Sequence, residues 1–216
     1  MYTEIIWFEL AAFILSLIAL PLIWKSKYLR IYPFLLLIVV TVEGYFKFFP
    51  QQSAINTGTY NIQVPLQYVC YLLILYYAAN SKQFKTFMVA AICMLIVFNA
   101  VSLIYFTPKN YYNVWGYCFC SLLIIISIIW KFYEMLKNPL EFNFLRNPFF
   151  YMLFAYLLFN LTTLPYFSMA NWLYHTKKYK SFSWALANVM SVMNYVLYTT
   201  YSIAFIWMIR KKDIYS

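Results

Sequence analysis

Apolar runs long enough to cross a bilayer, separated only by short polar breaks, constrain this chain more than any other feature. A helix needs about 20 predominantly apolar residues to span the hydrocarbon layer. Seven such segments read along the sequence: Ile5 to Trp24, Tyr32 to Phe49, Ile62 to Ala79, Phe84 to Phe106, Val114 to Phe132, Pro148 to Met169 and Trp184 to Ile209. Backbone polar groups in lipid must be satisfied within the segment itself, which selects helices. The expected fold is therefore all-α: a polytopic membrane protein with seven transmembrane helices in a single domain over residues 1–216. Composition argues against a soluble domain. Charged residues make up 10% of the chain and hydrophobic ones 65%, whereas soluble domains carry about a quarter charged residues. With three glycines and an aromatic content of 24%, large rings rather than close glycine contacts are expected between the helices.

The first residues, Met-Tyr-Thr-Glu, lack the basic n-region and the cleavage site of a signal peptide, so the first segment is expected to be retained. Cys70, Cys93, Cys118 and Cys120 all lie inside apolar runs, which suits buried small residues better than a disulfide framework.

Orientation follows from the short loops. Lys25, Lys27, Arg30, Lys82, Lys85, Lys131, Lys137, Arg146, Arg210, Lys211 and Lys212 fall on one side, eleven of the sixteen basic residues. Lys47, Lys109, Lys177, Lys178 and Lys180 fall on the other. The positive-inside rule then puts the N-terminus outside and the C-terminus in the cytoplasm. The sixth loop dissents and also holds the sole histidine, His175; it reads as a solvated or headgroup-facing loop. The net charge of +10 is scattered over loops and termini, so it suits a membrane surface, and no nucleic-acid partner is expected.

Polar residues inside the spans are the candidate functional groups. Between Val42 and Gln67 two apolar segments meet at Glu43, Lys47, Gln63 and Gln67. An ionisable residue at membrane depth has to face protein, a partner charge or water, and is a functional candidate for that reason. Lys47, one helical turn beyond Glu43, is its expected partner. At about 1.5 Å per residue, Glu43, Gln67, Asn99 and Asn188 fall into one layer near the outer ends of four helices. Asn160 and Asn194 lie deeper, and Glu9 and Gln63 nearer the outer rim. Glu9 is expected to snorkel to the interface, while the inner halves, such as Ile31 to Val40 and Leu122 to Ile129, are almost purely apolar. A shared polar network or an outward-facing cavity joins these residues in the simplest arrangement. Amides in membrane helices also serve as interhelical glue, so the same residues could be structural.

Several chemistries are excluded. Metal-dependent hydrolysis needs clustered His and acidic ligands, and a nucleophile needs an activating base. No span holds a histidine, so neither a metal, a cofactor nor an enzymatic activity is expected. A weak internal similarity relates Ile23-Trp24-Lys25 and Leu29-Arg30-Ile31-Tyr32-Pro33-Phe34 to Ile129-Trp130-Lys131 and Leu145-Arg146-Asn147-Pro148-Phe149. That order fits a parallel repeat of three helices, a linker helix and three more.

The aromatic-rich helices, the Asn-Ile-Gln-Val-Pro-Leu-Gln-Tyr entry at Asn61 to Tyr68 and the Arg-Asn-Pro-Phe-Phe entry at Arg146 to Phe150 resemble a group of small bacterial seven-helix integral membrane proteins without assigned activity. The resemblance implies the fold and a bacterial inner-membrane location, and no functional residues. Two functions remain. One is a receptor-like or regulatory module, binding a small ligand from outside through Glu43, Lys47, Gln67, Asn99, Asn160, Asn188 and Asn194 and docking a cytoplasmic or membrane protein through its basic loops. Phe132, Met135, Leu136, Leu140 and Phe142 are the expected docking anchors. The other is a small-solute or ion transporter or channel built on the 3+1+3 repeat.

Overall fold

Prolines, caps and polar turns decide where each apolar segment becomes helix. The computed structural model describes residues 4–49, 53–108, 111–137, 146–175 and 180–210, and the side chains among them except those of 53–56, 170–175 and 180–187. Pro21 has no N–H to give the Leu17 carbonyl, and the first segment divides there into α1 (Ile5–Ile18) and α2 (Leu20–Ile23). A 3-10 turn, Leu29–Ile31, leads into α3 (Tyr32–Phe48), with Pro33 in its first turn, where a missing N–H costs nothing. The next helix, α4 (Ser53–Ala78), begins well before the expected Ile62. Its Thr57, Thr59, Tyr60 and Asn61 are polar but helix-compatible, and hydropathy alone sees only the apolar half. Ser81 caps α5 (Lys82–Val101), its Oγ accepting the Phe84 N–H at 3.1 Å. A π-helical turn, Ser102–Phe106, continues it. Then come α6 (Val114–Lys137), α7 (Pro148–His175) and α8 (Lys180–Arg210).

All seven expected segments thus fall on helices, and no strand is found among the described residues. Among the described residues, five stretches are long and apolar enough to cross a membrane: Leu29–Phe48, Lys82–Phe106, Val114–Lys137, Pro148–Met169 and Asn188–Arg210. This is the helix set of a multi-pass membrane protein. The other two segments differ for identifiable reasons. Helix α1 is apolar but only 14 residues long because of Pro21, and α4 carries Asn61 and Gln63 in its first half and Gln67 just beyond its middle.

Neighbouring helices close a ring. Helix α1 packs on α3 and α8, α3 on α4, α4 on α6, α6 on α7, and α7 on α8, while α5 sits against α4 and α6. The buried face of α1 shows the logic: Ile5, Glu9, Ala12 and Ser16 recur at alternating steps of four and three, while Trp7, Phe8, Ile14, Leu17 and Ile18 are exposed. Small and polar residues point inward and large apolar ones outward, as a lipid-contacting helix requires. At the other end of the ring the core is aromatic. Tyr32, Tyr201 and Phe205 are fully buried, Tyr32 meets Tyr71, Tyr201 and Phe205 edge-on, and Tyr71 stacks on Tyr156 at 3.5 Å. The Tyr71 and Tyr201 hydroxyls hydrogen-bond at 2.7 Å.

Candidate functional site

Among the described residues, the intramembrane polar groups do not form one hydrogen-bonded network. They separate into a carboxylate cluster, two amide networks and a set of half-buried residues on α4 and α8.

The carboxylate cluster is built by α1, α3 and α4. Ile6 Cδ1 lies against Gly44, 3.6 Å from where a Cβ would stand, and the Lys47 ammonium sits 4.7 Å from the Trp7 ring centroid. These contacts bring the first half of α1 alongside the end of α3 that carries Glu43. From α4, the Tyr60 hydroxyl donates to both Glu43 carboxylate oxygens, at 2.9 and 3.0 Å. Phe46 packs against the Tyr60 ring at 5.4 Å. Sequence spacing assigned Lys47 to Glu43; the hydrogen-bonding partner is instead Tyr60, seventeen residues away on another helix. Glu9 does not snorkel. Its side chain points into the ring, 4% exposed, within electrostatic range of Glu43 and Tyr60, with Tyr198 of α8 near both carboxyl groups. One carboxylate oxygen of Glu9 has no hydrogen-bond partner. Gln63, one turn beyond Tyr60 on α4, is also 4% exposed and its amide oxygen is likewise unpartnered. Buried oxygens of this kind are uncommon, because each loses its hydration without replacement.

Beside it stands a saturated amide network. Tyr60 and Asn61 are adjacent, so their side chains leave α4 about 100° apart, and Asn61 faces the turn before α6. Its Oδ1 accepts the Asn113 N–H at 2.9 Å, and its Nδ2 donates to the Tyr111 carbonyl at 2.9 Å. Asn113 Oδ1 accepts from Ser102 Oγ at 2.7 Å, from Thr107 Oγ1 at 3.2 Å and from the Gly116 N–H at 3.0 Å. Asn99 donates to the Leu95 carbonyl at 2.9 Å and to Cys120 Sγ at 3.0 Å, and its Oδ1 accepts from Asn113 Nδ2 at 3.4 Å. Asn99 therefore ties α5 to α6 rather than joining Glu43. Asn160, deeper in α7, accepts from the Tyr68 hydroxyl at 3.0 Å, and that hydroxyl also bonds Ser121 Oγ at 2.7 Å. Gln67, Asn188 and Asn194 are half-buried. Among the described residues, no hydrogen bond links Glu43 to Gln67, Asn99, Asn160, Asn188 or Asn194, so the expected single network is replaced by separate ones.

A third carboxylate serves the opposite end. Glu134 of α6 accepts the N–H groups of Asn80 and Ser81, at 3.2 and 3.1 Å, and the Ser81 hydroxyl, and it lies 3.7 Å from the Lys131 ammonium. Lys131, expected in an exposed basic loop, is 2% exposed. The expected docking anchors are altered too. Met135 is in the core and Phe132 packs on Phe150 at 5.0 Å, while Leu136 is exposed and Leu140 and Phe142 lie outside the described residues. The basic surface at this end consists of exposed Lys25, Lys27, Arg30, Lys82, Lys85, Lys137, Arg146 and Arg210. His175 and Lys180 fall where side chains are not described, and Lys177 and Lys178 lie outside the described residues.

Sequence reasoning passed over Tyr60, set aside Glu9 and did not weigh Asn61 or Asn113 in the polar layer. Glu9 was legible: Glu9, Ala12, Ser16 and Ala19 make an inward stripe of polar and small residues. Tyr60 was not, being one of 23 tyrosines.

No family model matches this chain, nor does any curated protein or solved structure.

Proposed function

We propose that the chain is a seven-span receptor-like or regulatory membrane module, of the small bacterial kind its sequence resembles, with its N-terminus outside. The Glu9, Glu43, Tyr60 and Gln63 cluster is its ligand site. The observation that carries this reading is the contrast along the ring axis: at one end the unpartnered buried oxygens belong to a carboxyl and an amide, Glu9 and Gln63, while at the other, aromatic end they are the hydroxyls of Tyr32 and Ser26. From Glu43 to Tyr32 along α3, and from Tyr60 to Tyr71 along α4, is roughly 16 Å at 1.5 Å per residue. A site backed by packed rings receives a ligand from one side and returns a change in helix packing, rather than passing the ligand through. The basic end suits the cytoplasmic face by the positive-inside rule and would meet anionic headgroups or a partner protein there.

Substituted-cysteine accessibility tests both side and function. Gln63→Cys should react with a membrane-impermeant maleimide added outside intact cells and stay unreactive in inside-out vesicles. Single cysteines at Thr3 and Ser216, read against the parent chain, should label from outside and inside respectively. Labelling of Ser216→Cys from outside would invert the topology, and reactivity of Gln63→Cys from both sides would favour alternating access, hence transport.

A further inference from the structure

The cations at the Glu134 end of the ring are spread as a rim, and that spread indicates what they meet. Among the described residues, eight exposed basic side chains stand there, in the turn before α3, the first turn of α5, the last residue of α6, the turn before α7 and the last residue of α8. Helices α3, α6, α7 and α8 belong to the ring and α5 sits outside it, so the charges follow the circumference. Glu134 is the carboxylate described at this end, and it is buried and already bonded to Asn80, Ser81 and Lys131. Glu4, which is exposed, stands at the opposite end. The rim is therefore left uncompensated by the described residues, and its complement is anionic.

Depth separates a membrane from a soluble partner. Exposed aromatic rings stand just inside the cations: Trp24 next to Lys25, Tyr133 one turn before Lys137, and Tyr151 just over one turn after Arg146. The Lys137 ammonium lies 4.5 Å from the Tyr133 ring centroid. Further in, the exposed side chains are apolar, as Ile18 of α1, Ile126 and Ile129 of α6 and Phe154 of α7 show. Exposed rings at the ends of apolar spans occupy the headgroup level, which places cations one step further out among the lipid phosphates. A docking protein would be served by a patch on one side, whereas charges around the whole circumference match molecules that surround the bundle.

We infer that this rim binds the headgroups of anionic phospholipids, so that the lipid shell at the basic end is richer in anionic lipid than the bilayer around it. The inference rests on the reading of the chain as membrane-spanning with its basic end in a headgroup layer. It depends neither on which side of the membrane that layer faces nor on the Glu9 and Glu43 cluster.

The test uses the purified full chain reconstituted into phosphatidylcholine bilayers, with spin-labelled phosphatidylglycerol or spin-labelled phosphatidylcholine as the probe. The motionally restricted fraction of the spectrum reports lipid held at the protein, and because both leaflets have the same composition the readout is independent of orientation. Phosphatidylglycerol should associate severalfold more strongly than phosphatidylcholine at low salt, and the preference should shrink at high salt, where exposed charges are screened. Lys25→Gln with Lys27→Gln and Arg30→Gln, or Lys82→Gln with Lys85→Gln, should each remove part of the preference, and the two sets together should remove more. All five side chains are exposed, and the salt titration of the parent chain reads the same interaction without any substitution. Equal association of the two lipids at low salt would overturn the inference and leave the surface to a soluble partner. A preference untouched by salt would overturn it too, as would one abolished by a single set and unaffected by the other, which marks one local site. Equal association with one-sided labelling of Gln63→Cys would sink this inference and spare the receptor reading; a salt-sensitive preference with two-sided labelling would do the reverse.

Discussion

Glu134 and Glu9 are both buried carboxylates on the inward faces of helices, and the protein treats them in opposite ways. Glu134 receives two backbone N–H groups, a hydroxyl and a lysine, so its charge is met on every side and it locks the start of α5 to α6. Glu9 is equally withdrawn from solvent and leaves an oxygen unpartnered. The difference separates a carboxylate used as a fastener from one held ready for something else. The Asn61, Asn99 and Asn113 network falls with Glu134: it lies at the same end of the ring as Glu9, yet its amide groups are bonded.

The largest effect is expected where a satisfied charge is broken. Glu134→Ala leaves the buried Lys131 ammonium and two backbone donors without their acceptor. Breaking one side of a buried pair costs about 3 to 5 kcal/mol, to be read as a lowered unfolding free energy in detergent. Adding Lys131→Met should recover much of the loss; failure to recover would mean that the pair matters less than the bonds to Ser81 and Asn80.

Next comes Gly116→Ala. A Cβ there would overlap the Asn113 and Asn99 side chains, which are short and fixed by their own hydrogen bonds. Overpacking of this kind costs roughly 1 to 3 kcal/mol. A variant as stable as the parent would show that the amide network can yield, and would weaken the contrast with the carboxylate cluster.

Smaller still is Glu43→Gln. The amide oxygen keeps an acceptor for the Tyr60 hydroxyl, so the stability change should stay within about 1 kcal/mol while ligand binding falls. A loss of several kcal/mol, rescued by Lys47→Met, would instead make Glu43 the structural partner of Lys47 that helical spacing alone suggested.

How much of this was open to inspection follows the same division. Helix positions were legible because period and span length are properties of a single segment; the Ile5, Glu9, Ala12, Ser16 face could be read directly. Partners were not, because they depend on which helices meet. Glu43 was paired with Lys47 on its own helix, while its bond runs to Tyr60 on α4. Depth alone puts Asn99 with Glu43, yet equal depth on a ring does not mean contact, and its partners are on α5, on α6 and in the turn before α6. Lys131 looked like a loop charge because α6 continues to Lys137, five residues beyond the expected end at Phe132. The break at Pro21 needed only local reasoning, and the long polar entrance of α4 could not be seen by hydropathy.

The measurement closest to the central claim compares two isosteric neutralisations, Glu9→Gln and Glu134→Gln, by unfolding in nanodiscs with N-methylglucamine as the sole added cation. Glu134→Gln should lose about 2 kcal/mol or more, since Lys131 loses its counter-charge. Glu9→Gln should lose nothing or gain stability, because one of the carboxyl oxygens it replaces is bonded by no described group. Equal losses in the two variants would contradict the account and make Glu9 a fastener like Glu134.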